Sequence, residues 1–183
     1  MININMEPIT QAFKIYNSPV GKTILVAREG AIIKVEIETK NNFNLDIDTT
    51  KSITDQCGIN HYGEILQENT EVLLNCQTQL EEYFEGKRKQ FDFFYKNIGT
   101  PFREKVWEKL EQIPYGQTRT YQDIAISLNN IKAVRAVGGA NHHNNLWIIV
   151  PCHRVIGKSG KLVGYGGGLH VKEFLLEHEA RFR

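Results

Sequence analysis

Short runs of β-branched and aromatic residues open the chain and predict a small antiparallel sheet. Residues 12–39 read AFKIYNSPVGKTILVAREGAIIKVEIET, and turn signals at 18–21 and at Glu29-Gly30 divide them into three runs. We therefore predict a three-stranded meander. Residues 39–62 are polar without a clear period, which predicts a loop.

A helical period follows in NTEVLLNCQTQLEEYFEG, residues 69–86. Its apolar side chains recur at helical spacing on one face, and they are Val72, Leu73, Cys76, Leu80, Tyr83 and Phe84. Gly86 is a suitable stop. The next segment, KRKQFDFFYKN, predicts a basic turn that runs into a short strand or linker. We therefore place a domain boundary at residue 96, between an N-terminal domain (1–96) and a C-terminal domain (97–183).

The C-terminal domain opens with a helical pattern. Thr100 and Pro101 predict an N-cap and a first helical position. One apolar face follows, made by Phe102, Val106, Leu110 and Ile113. PYGQT at 114–118 predicts a turn, after which a second helix is expected.

The second helix, YQDIAISL, and a third, IKAVRAVGGA, have their own start signals. Thr120 with Asp123 resembles a capping box, and Asn130 is predicted to cap the third helix. Two short helices separated by a few polar residues outline a helix-turn-helix unit. After it, VIGKSGKLVG predicts a hairpin, YGGG a glycine loop, and LHVKEFLLEHEA an amphipathic helix. The predicted class is therefore α/β (α+β): a sheet with one helix, then a mostly helical domain with a winged-helix-like DNA-binding unit.

The third helix carries unusually small side chains beside one long cation. Arg135 stands among small residues that include Ala136, Gly138 and Gly139. Two adjacent helical glycines cost about 1 kcal/mol each against alanine, so a compensating role is expected. The small side chains allow either tight packing against a neighbouring helix or close approach to a nucleic-acid groove.

Charge divides unevenly along the chain. The 183 residues carry a net charge of +1, which divides into −4 over residues 1–96 (10 Lys and Arg, 14 Asp and Glu) and +5 over residues 97–183 (12 and 7). This asymmetry favours a polyanionic partner for the second half, with scattered surface charge as the alternative. The first residues lack the basic segment and apolar core of a secretory signal, and no apolar stretch approaches the roughly 20 residues of a membrane helix, so we expect neither. Three cysteines, an odd number, favour a reducing compartment, so we expect a cytoplasmic protein without membrane association.

Two of the three cysteines have simple interpretations. Cys76 lies on the apolar helix face and is expected to be a core residue. Cys57 and His61 are two possible metal ligands in a polar loop without a matching pair, which makes a poor zinc site. We therefore expect no metal.

Cys152 has a different setting, in IIVPCHRVIG at 148–157. A cysteine that follows a strand-like run is often structural, but this one precedes His153 and Arg154, and adjacent cations lower a thiol pKa. With Glu179 in the last helix, the segment could supply a nucleophile, a base and an orienting carboxylate. From the residues alone, His170 and His178 are also possible partners.

These residues resemble a known family. PCHRV, with Asn144 eight residues before the cysteine and GYGGGLHVKEFLLEHE after it, closely resembles the O6-alkylguanine-DNA alkyltransferases, also called methylated-DNA–protein-cysteine methyltransferases. The resemblance extends through GTPFREKVWEKLEQIPYGQTRTYQDIA and KAVRAVGGAN, so it covers nearly all of residues 99–180. Before the boundary, only LEEYFEGKRKQFDF is similar to the family.

The resemblance implies a set of catalytic roles. Cys152 would accept the alkyl group, and His153 would take its proton through a water. Glu179 would orient His153, and Asn144 would brace the turn that holds the cysteine. The reaction would be a single-use, irreversible transfer from O6-alkylguanine in double-stranded DNA, with O4-alkylthymine as a possible second substrate. It would need no cofactor, and the protein would act as a monomer.

The resemblance also implies binding roles. Tyr121 would donate to the guanine or its phosphate, Tyr165 and Gly166 would line the pocket, and Lys172 would support the loop. The carbonyls of Cys152 and Val155 would accept from the exocyclic amine. Arg135 would fill the space left by the flipped nucleotide. The other expected DNA contacts are Thr120, Ala136, Gly138 and Asn141.

The sequence departs from the family pattern near the site. Asn141, His142 and His143 stand where smaller or more basic residues are expected, and Asn145 stands where proline is common. Gly166 replaces the usual serine or alanine. These changes leave the acceptor intact but affect the expected DNA contacts and the alkyl groups that fit. His142 and His143 either contact phosphates or form an exposed polar loop.

Three other functions fit parts of the pattern. A non-repairing relative would bind alkylated DNA, but such relatives lack the acceptor cysteine. A thiol hydrolase or protease would need an oxyanion hole, and it would leave the helix pair unexplained. A DNA-binding regulator would make Cys152 incidental.

Overall fold

The computed structural model describes residues 11–39 and 65–183, so the predicted loop lies almost entirely outside the described residues, as do Cys57 and His61. The predicted meander is confirmed. Strands β1 (Gln11–Ser18), β2 (Gly21–Arg28) and β3 (Ala31–Ile37) pair antiparallel in sequence order. A strand that the sequence did not indicate, β4 (Ile65–Gln67), pairs parallel with β1, so the order is β3-β2-β1-β4.

The outer side of β3 contacts two later segments through the backbone. The N–H of Ile32 donates to the Phe94 carbonyl at 2.9 Å. The N–H of Val35 donates to the Asn145 carbonyl at 2.7 Å, and the Val35 carbonyl accepts from the Trp147 N–H at 3.0 Å. The N-terminal sheet is therefore joined directly to the turn that precedes Cys152. Residues 87–96, where a short strand or linker was predicted, form no strand beyond the bridge between Tyr95 and Ile32.

The first helix, α1 (Glu71–Phe84), forms as predicted, and it packs on the sheet. Leu73, Cys76, Leu80 and Tyr83 are fully buried. Gly86 follows at φ 75°, a left-handed conformation that favours glycine and ends the helix.

Two predicted helix starts in the C-terminal half are confirmed. Helix α2 (Pro101–Glu111) begins with the Thr100 side chain accepting from the Arg103 N–H. The short strand β5 (Arg119–Thr120) leads into α3 (Tyr121–Ser127). Thr120 and Asp123 form the predicted capping box, with bonds of 2.8 and 3.1 Å. Such caps depend on neighbouring residues, which is why sequence suffices to find them.

The predicted cap of the third helix is wrong. The Asn130 side chain makes no capping bond, and its backbone carbonyl accepts from the Ala133 N–H at 2.9 Å. That bond closes a 3₁₀ turn (Ile131–Ala133), so the α-helix proper, α4 (Val134–His142), starts later. The Trp107 indole donates to the Ala140 carbonyl at 3.0 Å and holds α4 against α2.

The predicted hairpin at 155–164 is also wrong. Strand β6 (Val155–Ile156) pairs parallel with β5, and the Gly157 N–H bonds to the Lys161 carbonyl in a single turn. The Val163 carbonyl accepts from Tyr121 and Lys172 side chains, at 3.3 and 3.0 Å, and makes no cross-strand pair. Helix α5 (Leu169–Arg181) then closes the chain.

A single cluster of buried side chains runs through both halves and includes Leu25, Leu80, Trp107 and Leu175. The longest helix between residues 65 and 183, α1, has 14 residues. In the part of the chain that the structure describes, no helix is long and apolar enough to cross a bilayer.

Candidate active site

Cys152 lies in a short 3₁₀ turn (Cys152–Arg154) that follows a buried bend. Residues 146–150 form no strand, although the sequence suggested a strand-like run; Val150 N–H bonds back to the Leu146 carbonyl at 2.8 Å. Ile148 has φ 73°, a left-handed conformation that is rare for a β-branched residue. Such strain is kept only where surrounding contacts enforce it. The turn therefore has a fixed shape, and the Cys152 side chain is nearly buried on it.

Asn144 enforces that shape from within. Its side-chain N–H₂ donates to the Val150 carbonyl at 2.9 Å and to Cys152 Sγ at 3.0 Å. Its side-chain oxygen accepts from the Leu146 N–H, and its backbone carbonyl accepts from the Trp147 indole. One buried amide thus fixes both ends of the bend and points a donor at the sulfur.

Burial raises the pKa of the Cys152 thiol to about 11, although the Asn144 donor and the Lys172 charge act in the opposite direction. His153 and Arg154 were expected to lower the pKa of this thiol as adjacent cations. Their side chains instead bond to Glu179, so they do not offset the effect of burial. Activation of the sulfur therefore depends on removal of its proton during reaction.

The imidazole of His153 is fully buried beside Cys152. Its Nε2 lies 2.8 Å from Glu179 Oε1, and Nδ1 has no hydrogen-bond partner among the described residues. Burial lowers the pKa of His153, and Glu179 only partly offsets this. The neutral ring donates from Nε2 to the carboxylate, which leaves the Nδ1 lone pair able to take a proton.

The Glu179 carboxylate is also fully buried and accepts from three further residues. Arg154 donates from Nε and a terminal nitrogen at 2.8–3.2 Å, and its other terminal nitrogen donates to the Ile113 carbonyl. The Gly116 N–H and the Tyr83 hydroxyl each donate at 2.9 Å. Burial alone would raise the pKa of Glu179, but His153 and Arg154 hold it well below its usual range.

A cavity of about 660 Å³ opens above Cys152. Its walls come from α3, α4, the bend and the glycine loop, with a contribution from β3 and the residues after it. The lining residues are Glu36, Thr39, Tyr121, Gly138, Asn141, His142, Trp147, Cys152, Val163, Gly164, Tyr165 and Gly166. Such a volume suits a small-molecule-sized group.

The structure gives a reason for Gly166. A Cβ placed there would lie 2.6 Å from the ring of Trp147, closer than side chains tolerate. The Trp147 ring lies against the Tyr165 ring, with centroids 5.5 Å apart. Trp147 therefore occupies the space that a side chain at residue 166 would use, and it narrows the cavity.

Lys172 holds two neighbouring backbone segments together. Its buried ammonium donates to the Val155 carbonyl at 2.6 Å and to the Val163 carbonyl at 3.0 Å. Val155 does not line the cavity, and the Cys152 carbonyl accepts from the Val155 N–H. Both carbonyls that were expected to accept from a ligand amine therefore already have partners. Tyr121 lies on the cavity wall, and its hydroxyl donates to the Val163 carbonyl at 3.3 Å.

Helix α4 turns some of its small residues outward, while Ala140 is buried. Arg135 and Ala136 are exposed. A Cβ at Gly139 would meet nothing within 4 Å, and one at Gly138 would reach only Tyr121. These glycines are therefore not explained by tight helix packing, which leaves close approach of an external group as the better interpretation. Thr120 caps α3, and Asn141 lines the cavity.

Two residues that shape the site were not predicted from the sequence, and a third was given a different role. Tyr83 was treated as core, and Trp147 was not singled out. Arg154 was expected only as a cation beside the thiol, not as the partner of Glu179. A signal existed only for Arg154: an arginine inside an apolar segment must find an acid when buried, and Glu179 was already a candidate.

No three His, Cys, Asp or Glu side chains within residues 11–39 and 65–183 are grouped to hold a metal ion.

Two family models match the chain. The 6-O-methylguanine DNA methyltransferase ribonuclease-like domain matches residues 12–94, and the DNA-binding domain of the same family matches residues 101–181.

Named relatives and solved structures agree with those models. A Methanosarcina acetivorans methylated-DNA–protein-cysteine methyltransferase is 54% identical over 112 residues, 61% of this chain and 72% of that protein. A constitutive Bacillus subtilis protein of the same name is 53% identical over 60% of this chain and 67% of its own. The crystal structure of Mycobacterium tuberculosis O6-methylguanine methyltransferase is similar at TM-score 0.78 and 35% identity, over 94% of each chain. A structure of Mycobacterium tuberculosis OGT in complex with DNA gives TM-score 0.77 at 35% identity, over 93% of this chain and 94% of that one.

Proposed function

Because the chain belongs to the 6-O-methylguanine DNA methyltransferase family, we propose that it repairs DNA by moving an alkyl group from O6-alkylguanine to its own Cys152. One observation carries the proposal: the Cys152 sulfur lies at the wall of a cavity, held by Asn144, beside a buried His153–Glu179 pair. The protein acts once, as a monomer on double-stranded DNA. The proposed domain boundary at residue 96 lies between α1 and α2.

The chemistry follows from the groups present. His153 Nδ1 takes the thiol proton through a water, and Glu179 stabilises the imidazolium that forms. The sulfur attacks the alkyl carbon in line, the carbon–oxygen bond breaks, and guanine leaves as an anion at O6. Donors on the cavity wall neutralise that charge as it develops, with Tyr121 and backbone N–H groups of the glycine loop in this role. The product is a thioether, and no group of the site can reverse it.

The substrate must leave the base stack to reach the sulfur. Cys152 is only 5% exposed, so a base inside a duplex cannot meet it. Arg135, exposed on α4, fills the vacated space, and the small outward residues allow the helix to approach the groove. Thr120, Ala136, Gly138 and Asn141 lie along the same approach. The basic C-terminal half favours the phosphate backbone.

The decisive experiment uses a short duplex with a single O6-methylguanine. After incubation we expect the intact protein to gain the mass of one methyl group, and peptide mapping to place it on Cys152. The gain should stop at one per protein molecule and be absent in Cys152→Ala. Repeated turnover would contradict the proposal, and so would methylation of Cys57 or Cys76 instead. The same mixture with undamaged duplex is the control.

A further inference from the structure

Glu179 Oε1 accepts from Arg154 and also contacts two further donors, which come from opposite parts of the chain. His153 Nε2 lies 2.8 Å from it, and the Tyr83 hydroxyl lies 2.9 Å from the same oxygen. Tyr83 belongs to α1, in the N-terminal half, 96 residues before Glu179. A hydroxyl of the N-terminal half thus reaches the same carboxylate oxygen that His153 contacts.

The Tyr83 hydroxyl is held firmly in place. Its ring is fully buried and lies against the rings of Phe91, Tyr115 and His178, with centroids 5.1–5.9 Å apart. The His178 ring nitrogen also lies 2.7 Å from the Tyr83 backbone carbonyl. Burial, and next the Glu179 charge, raise the pKa of Tyr83 well above its usual value, so the hydroxyl stays a donor. The direction of the Tyr83 hydroxyl towards Glu179 is therefore fixed by the contacts of its ring and backbone.

We propose that Tyr83 is a positioning residue for the alkyl transfer: its hydroxyl shares Glu179 Oε1 with His153 and so keeps the imidazole weakly basic. The proposal extends the proposed function and rests on it for the transfer step. It also gives the N-terminal half a direct part in the site, in addition to its support of the fold.

The sign of the effect follows from the charges around the pair. Glu179 interacts with His153, Arg154 and the hydroxyls of Tyr83, Tyr115 and Tyr165. His153 also interacts with the charges of Arg154 and Lys172. Every donor on the carboxylate lowers its attraction for a proton on His153. Removal of the Tyr83 donor therefore leaves Glu179 more negative towards the ring, which raises the pKa of His153. The His153 ring must be neutral to take the thiol proton. Without the Tyr83 hydroxyl, the acid limb of the pH–rate profile for alkyl transfer should therefore move to higher pH.

Tyr83→Phe tests this, because it keeps the ring and removes only the hydroxyl. The matched control is Tyr115→Phe: the Tyr115 ring contacts Tyr83, and its buried hydroxyl bonds to none of the described residues. Single-turnover transfer from methylated duplex is measured between pH 5.5 and 9. We expect the acid limb of Tyr83→Phe to move up by about half to one pH unit, which is roughly three- to tenfold in rate on that limb. Tyr115→Phe should follow the wild type.

A second measurement does not depend on alkyl transfer. NMR titration of the His153 ring should show a higher pKa in Tyr83→Phe than in the wild type and Tyr115→Phe. If the wild type transfers but Tyr83→Phe matches it in both rate profile and titration, the inference is overturned. An equal shift in Tyr115→Phe would also overturn it, since the effect would then not depend on the hydrogen bond from Tyr83 to Glu179. If the wild type transfers nothing while the His153 shift is present, the proposed function fails and the coupling holds.

Discussion

Glu179 accepts hydrogen bonds from four residues that belong to three separate segments of the chain. Arg154 supplies the strongest of these interactions, a paired guanidinium with both groups buried. A buried carboxylate is tolerated only when its charge is balanced and its oxygens are bonded. Arg154 therefore has a definite role that its position in PCHR did not reveal: it neutralises the acid on which His153 depends.

Arg154→Leu should destabilise the protein by about 3–5 kcal/mol, because it leaves the Glu179 charge buried without its main partner. Urea unfolding at pH 7 measures the loss. The control is Arg88→Leu, which breaks a more exposed pair with Glu82 and should cost at most about 1 kcal/mol. A loss for Arg154→Leu no larger than that of the control would contradict the role assigned to Arg154.

Single residues were predictable from sequence to the extent that their partners are close in the chain. Thr120 and Asp123 are three residues apart, and their capping box was predicted from the residue types and this spacing. Glu179 and Tyr83 are 96 residues apart, and nothing in either segment indicates the other. Trp147 and Gly166 are a second example. Glycine is needed at residue 166 because the Trp147 ring occupies the space of a side chain there, and the sequence does not show that contact.

The bend at 146–150 and the glycine loop meet as two irregular elements packed on each other. Their contact depends on Trp147 against Gly166 and Gly167, where added Cβ atoms would lie 2.6 and 2.9 Å from the ring. The sequence suggested a strand for the first element and a hairpin before the second. Both predictions failed because bonds to Asn144 and Lys172 replace the strand pairing that the local pattern favours.

Gly166→Ala should destabilise the protein by about 1–3 kcal/mol, as expected for overpacking. In the background of Trp147→Leu the same change should cost less, and a double-mutant cycle by urea unfolding gives the coupling, expected at about 0.5–3 kcal/mol. Gly139→Ala is the control: its Cβ meets nothing and α4 gains helix propensity, so stability should rise by about 1 kcal/mol. Equal costs of Gly166→Ala in both backgrounds would refute the contact.

The whole molecule combines a sheet domain and a helical domain around one buried charge network. The class, the first three strands, the first helix and the capped helices were all predicted, because periodicity and caps are local signals. The fourth strand and the contacts between halves were not, since they depend on pairing across long chain separations. The assignment of residues to catalytic and DNA-contact roles stays a prediction.

Acid should destabilise the folded protein through this network. The pKa values of His153 and Glu179 are both lowered in the folded state, so the unfolded chain binds more protons in acid. The stability they provide is complete above about pH 6.5; it falls first as unfolded histidine titrates, and again below about pH 4.3 as unfolded glutamate titrates. Urea midpoints from pH 8 to pH 4 measure this.

Two variants separate the contributions to that pH dependence. His153→Gln should flatten the decline between about pH 6.5 and pH 5, whatever its effect on absolute stability. His170→Gln, a change at an exposed histidine on the same helix as Glu179, should leave the decline as in the wild type. A wild-type midpoint that stays constant from pH 8 to pH 4 would contradict the predicted linkage.

The backbone bonds from Ile32 and Val35 to residues 94 and 145–147 have a further consequence. An uncovered edge strand offers unpaired N–H and C=O groups to a second chain and invites aggregation. Here the outer edge of β3 is covered by the same bend that carries Trp147 and leads to Cys152. A substitution that loosens this bend would therefore expose the edge of β3 to other chains and also displace Cys152. Aggregation would then accompany the loss of activity.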